Sequence, residues 1–232
     1  MAAVTRAAQA VMLSVLGILM LRIGLTDEHL RYVQPWMRWG VLATGALLLL
    51  FSLAYLWADD EQEQHGHHDG HPVPLSAWLL LAPSLVVALV APQALGEYVA
   101  ERRANVTPAA PIAYFEPLPA ADPLPMKVSD FVSRAQLDTE QALTGRTVTL
   151  TGFVTREGDA WHVTRIGINC CAADALAWKV EVAGADAPAE RSWVRVTGQW
   201  RAVTPDPTAS PPTPIVEAAS VTSMEAPRNQ YE

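Results

Sequence analysis

Long apolar runs dominate the first hundred residues, and short alternating ones dominate the rest. A bilayer-spanning helix needs about 20 mostly apolar residues. Three runs meet that requirement: 7–25 (AAQAVMLSVLGILMLRIGL), 39–57 (WGVLATGALLLLFSLAYLW) and 74–95 (PLSAWLLLAPSLVVALVAPQAL). Arg22 is the one charge in the first run and lies near its end, where a long side chain reaches the interface. Trp36, Trp39, Tyr55 and Trp57 mark the two ends of the second, as an aromatic belt does. Pro83 and Pro92 predict a kink in the third, or an end near Ala91. No small-x-small cleavage motif follows Leu25, so the first run reads as a retained span.

After Met126 the period shortens to two. Strands are expected over 146–157, 159–168, 176–184, 192–203 and 213–224. Val148, Leu150 and Val154 are the expected inward residues of the first, and a Gly158-Asp159 turn joins it to the second as a hairpin. In 192–203, Trp193, Arg195 and Thr197 alternate with Val194 and Val196. Gly152 and Gly198 mark bends or bulges. The stretch 129–143 reads as a helix capped by Ser129 or Asp130. One helix and about five strands in this length suggest a small mostly-β domain, an OB-like five-stranded barrel. The chain therefore divides into a membrane α-helical region with three transmembrane helices (1–97), a linker (98–125), the β domain (126–224) and a tail (225–232). Within 101–125, six of 25 residues are proline, which suits an extended spacer.

Charge narrows the function classes. The chain carries 16 basic and 24 acidic residues, with no basic patch, which argues against nucleic-acid binding. Few lysines beside many alanines, arginines and prolines suggest a GC-rich bacterial genome. Arg22, Arg31, Arg38, Arg102 and Arg103 fall on one side of the three expected spans and Arg6 on the other. The positive-inside count leans toward a cytoplasmic C-terminal domain in a multi-pass cell-membrane protein.

Two segments carry chemistry. His65, His67, His68 and His71 lie in the loop 58–73, among five acidic residues. Imidazole and carboxylate suit zinc or another divalent metal, although such a tract also reads as a solvated polar loop. The second segment is RIGINCCAADALAW (165–178), which holds the chain's two cysteines, Cys170 and Cys171. Adjacent Cα atoms are about 3.8 Å apart across a trans peptide, short of ordinary disulfide spacing. Thiolate metal binding, redox sensing and plain packing of one cysteine all remain open. Two sulfurs do not fill a tetrahedral site, so Asp174, His162 or the histidine loop must contribute if a metal binds. Adjacent side chains on a strand diverge, so both sulfurs reach one ion only at a turn.

The segments YVQP (32–35), the histidine loop, TGFV (151–154), R-x-x-I-x-CCAADA (165–175), WVRVTGQW (193–200) and P-x-x-x-Y (227–231) together resemble the YcgQ-like family of bacterial membrane proteins. CCAADA is the most specific of them. The resemblance implies a multi-helix N-terminal region, an OB-fold-like C-terminal domain and an accessory role beside a permease. It carries over Cys170, Cys171, Ala172, Ala173, Asp174 and Ala175 as signature positions. The expected function is a non-enzymatic membrane subunit working with a permease, in contact with the lipid bilayer and handling a zinc-like metal. The alternatives are a membrane-tethered thiol redox protein and a purely structural assembly module. No G-x-S-x-G, P-loop or H-E-x-x-H motif supports an enzyme.

Overall fold

The computed structural model describes residues 2–57, 86, 99–100, 115–203 and 212–232. The chain forms two compact units, Met1–Ala94 and Leu95–Glu232.

In the first unit, helix α1 (Ala2–Leu25) and helix α2 (Arg38–Trp57) pack on each other. Two short 3-10 turns, Asp27–Arg31 and Pro35–Met37, join them. Small residues let the helices approach: a Cβ on Gly17 would lie 3.0 Å from the Gly45 carbonyl oxygen. The Ser14 and Ser52 hydroxyls are 2.7 Å apart, and the Ser52 hydroxyl donates to the Ala10 carbonyl at 2.9 Å. Arg38 Nε donates to the Gly24 carbonyl at 2.9 Å, which satisfies an orphan acceptor at the end of α1. The outward positions are apolar, with Ile18, Leu50, Phe51 and Leu56 exposed.

Among the described residues, one helix, Pro35–Trp57, is long and apolar enough to cross a membrane. This helix covers the second of the three expected spans, 39–57. Helix α1, 24 residues long, covers the first expected span, 7–25, and its described side chains form a shorter apolar helix, Gln9–Leu25. The third expected span, 74–95, lies outside the described residues except for Val86, which is helical.

The second unit is mostly β. Its strands are β1 (Leu124–Pro125), β2 (Thr147–Glu157), β3 (Ala160–Gly167), β4 (Leu176–Ala183), β5 (Trp193–Arg201) and β6 (Ile215–Met224). Each long strand pairs with two others, in the order β2–β3–β4–β6–β5 and back to β2. The β4–β6 pairing is parallel; the others in this cycle are antiparallel. Inward valines and leucines fill the middle, among them Val148, Leu150, Val154, Val163, Val180, Val194, Val196 and Val216. β-branched side chains pack well at such positions.

Helix α3 (Val128–Leu137) closes this core with Val128, Phe131 and Val132. It is shorter than the expected 129–143. Asp138 leaves helical geometry, and its carboxylate accepts from the Glu140 and Ala142 backbone N–H groups, starting a separate turn. Its start also differs from expectation. Lys127 is the cap residue and makes no side-chain cap. The Glu232 carboxylate caps instead, accepting from Val128 N–H at 2.8 Å and Ser129 N–H at 3.0 Å. Residues 225–232, which composition sets apart as a tail, thereby join the fold: Tyr231 is buried and bridges to Ile166.

Two glycines permit the strand path. A Cβ on Gly152 would overlap the Thr164 carbonyl oxygen, and one on Gly198 would overlap that of Glu217. At Gly198 the β5–β6 register shifts by one residue, as in a bulge. Gly198→Ala is expected to lower unfolding free energy by about 1–3 kcal/mol, the range for forced overpacking. Urea denaturation checks this; an unchanged midpoint would contradict it.

Candidate metal centre

The cysteines lie in the connection from β3 to β4. Gly167 ends β3 where a Cβ would press on the Trp178 indole, 2.8 Å from Nε1. Ile168 and Ala175 are buried and anchor the two ends of the loop. The backbone at Ile166 and Ile168 is held from outside: Glu232 N–H donates to Ile166 carbonyl at 2.9 Å, and Ile168 N–H donates to Glu232 carbonyl at 3.4 Å. Between these anchors the chain turns.

Asp174 makes the turn. Its carboxylate accepts from Asn169 N–H at 3.0 Å and from Cys170 N–H at 2.9 Å. A 3-10 turn, Ala172–Asp174, brings that carboxylate back, with Asp174 N–H donating to the Cys171 carbonyl at 3.1 Å. This geometry resolves the difficulty of adjacent side chains. Cys170 and Cys171 sit off the strands, and their Sγ atoms converge to 3.7 Å. One donor atom from each of Cys170, Cys171 and Asp174 lies within 4.8 Å of the others, and all three residues are half-exposed. Both cysteines are free thiols. The cluster can hold a metal ion with three protein ligands, open to solvent on one side.

Its electrostatics follow from the same contacts. The Cys170 thiol donates to Asp174, and that bond, with the neighbouring Cys171 thiol, pushes its pKa up to about 11. Asp174 is held below its usual carboxylate value, first by the Cys170 backbone N–H. A bound cation would exchange a proton at Cys170 for a metal–sulfur bond.

The other candidate ligands fall elsewhere. His162, a possible metal ligand by sequence, is buried on β3 at 3% exposure and is not part of the cluster. Its Nε2 is 4.0 Å from Glu157 Oε2, and Glu157 Oε1 accepts from Lys179 Nζ at 2.7 Å. Burial holds the His162 pKa below its ordinary value. His65, His67, His68 and His71 lie outside the described residues. Sequence reading missed Glu232, whose backbone braces the loop and whose side chain caps α3. Nothing local marks a partner more than a hundred positions away.

Fold and site together define a small mostly-β domain with a solvent-facing cysteine–aspartate cluster. Residues 129–232 match the family model described as the DUF1980 C-terminal domain, so this part of the chain is such a domain. The match supports the YcgQ-like resemblance for this domain. No curated protein matches the chain.

If Asp174 holds the Cys170 proton in place, Asp174→Asn will release it. Alkylation of Cys170 at pH 8, followed residue by residue by mass spectrometry, is expected to speed up about tenfold, the effect of one unit of pKa on thiolate supply. A rate equal to that of the parent would contradict the assignment.

Proposed function

We propose that the protein is a membrane-anchored accessory subunit that captures a zinc-like ion at Cys170, Cys171 and Asp174 for a permease-type partner. The observation that carries the metal reading is the sulfur spacing. Two thiolates bonded to one tetrahedral Zn²⁺ at about 2.3 Å stand about 3.8 Å apart. Cys170 and Cys171 Sγ are already 3.7 Å apart, so an ion would bind with little movement of the sulfurs. Three protein ligands leave the fourth tetrahedral position open, as transfer to a partner requires. The histidine loop offers a weak secondary site.

The membrane reading rests on Pro35–Trp57 and on the exposed apolar faces of α1 and α2. Both helices are read here as inserted in a bilayer, where those faces meet lipid. The cyclic strand pairing, with one parallel pair, supports reading the β domain as an OB-type barrel. A permease partner rests on the family resemblance. The raised Cys170 pKa weighs against a redox thiol, since such thiols work as ready thiolates.

The test is metal content of the detergent-purified chain, loaded with zinc while reduced and then washed. Cys170→Ser/Cys171→Ser is expected to lose one equivalent per chain relative to the parent, whatever the histidine loop retains. Binding must expel the Cys170 proton, and neutral pH lies below about 11. Apparent affinity is therefore expected to fall about tenfold per proton released for each unit of pH lowered, in a competition titration. Equal zinc in parent and variant would contradict the assignment, as would a flat pH profile.

A further inference from the structure

A second, separate feature of the β domain is a cationic cleft. It is open, encloses about 670 Å³ and is lined by Lys127, Thr149, Thr151, Arg165, Arg195 and Glu232. The domain around it is acidic: from residue 101 onward the sequence holds 12 basic and 16 acidic residues. Within the cleft the balance reverses, with three cations against one carboxylate. That carboxylate is already engaged, since Glu232 accepts from the Val128 and Ser129 N–H groups.

The register brings the groups together. Thr151 pairs with Arg195, and Thr149 with Thr197, on the outer face of β2 and β5. Met126 N–H donates to the Thr149 carbonyl at 3.1 Å, which sets Lys127 at the same edge. Arg165 approaches from β3, its guanidinium 4.7 Å over the Trp193 ring, with Nη2 donating to the Asn229 and Tyr231 carbonyls. Its Nε lies 3.9 Å from Glu232, and Nε and Nη1 are buried without a hydrogen-bond acceptor. Lys127 and Arg195 are exposed, and among the described residues neither side chain has an acidic partner. Arg165, 11% exposed on its side chain and facing the already engaged Glu232 carboxylate, lies beside two exposed cations that have no acidic partner among the described residues, so the cleft keeps a focused positive potential.

We propose that this cleft binds a phosphoryl oxyanion, with Lys127 and Arg195 as direct charged donors, Thr149 and Thr151 as hydroxyl donors, and Arg165 as the buried charge behind them. Donors from three separate elements suit a tetrahedral oxyanion, whose oxygens accept from several directions. The phosphoryl group belongs either to a soluble phosphate ester or to an anionic lipid headgroup. The cleft is distinct from the cysteine loop, so this assignment stands or falls apart from the metal reading.

The experiment uses the full chain in detergent at fixed ionic strength. Pyrophosphate is titrated by calorimetry in one arm; in the other, the chain is captured on nanodiscs of phosphatidylcholine with or without phosphatidic acid. Saturable binding in at least one arm is expected, weakened about tenfold or more by Lys127→Gln/Arg195→Gln. Both residues are exposed and unpaired, so the variant should fold, and an unchanged melting profile verifies it. Arg156→Gln, whose guanidinium binds the Ala187 and Pro188 carbonyls, serves as a charge control and should bind like the parent. Pyrophosphate binding identifies a soluble ester, and phosphatidic-acid binding alone identifies a headgroup. No binding in either arm, or equal weakening by Arg156→Gln, would overturn the proposal.

Discussion

A carboxylate accepting two consecutive backbone N–H groups organises the chemistry of this protein. Asp174 binds the N–H groups of Asn169 and Cys170 and so turns the chain at the end of β3. Without that turn, side chains of adjacent residues would point to opposite faces. With it, both sulfurs and the carboxylate face one point. The same contact sets the proton inventory, because the anion that shapes the loop also holds the Cys170 proton. Geometry and reactivity are therefore not independent here: the residue that brings the thiols together also favours the protonated form of one of them.

The two ends of the loop are held by the sheet and the C-terminal segment. Ile168 and Ala175 are buried in the domain, and the Glu232 backbone pairs with Ile166 and Ile168. Glu232 has two tasks, since its side chain also caps α3. Between them these contacts tie helix α3, the end of β3 and the start of the cysteine loop to one residue. The cationic cleft lies on this same seam, beside the capped helix start.

Much of this was legible in the sequence. Period-two alternation located all five long strands, with Val148, Leu150 and Val154 inward, because one-sided burial leaves that signature wherever a strand covers a core. Gly152 and Gly198 were expected to mark bends or bulges; a register shift is found at Gly198, and both are places of close backbone approach. The Cys170, Cys171 and Asp174 set was legible as residue types at short spacing; their convergence was not, because it depends on backbone hydrogen bonds. Long-range partners were the hardest to read. The cap of α3 comes from Glu232 in the C-terminal segment, and His162 is buried beside Glu157 of β2 and Lys179 of β4, neighbours that strand pairing brings together. Helix ends were read too long, at 143 instead of Leu137, because Asp138 starts a competing local turn. The first apolar run, read as a span, lies within the 24-residue helix α1.

The central claim is that both cysteines bind one ion along a tetrahedral edge. X-ray absorption at the zinc edge of the loaded chain, with the four loop histidines His65, His67, His68 and His71 replaced by alanine, tests it most directly. The account predicts two sulfur neighbours at about 2.3 Å, completed by oxygen ligands at about 2.0–2.2 Å. A shell of nitrogen and oxygen alone, or a single sulfur per zinc, would contradict it.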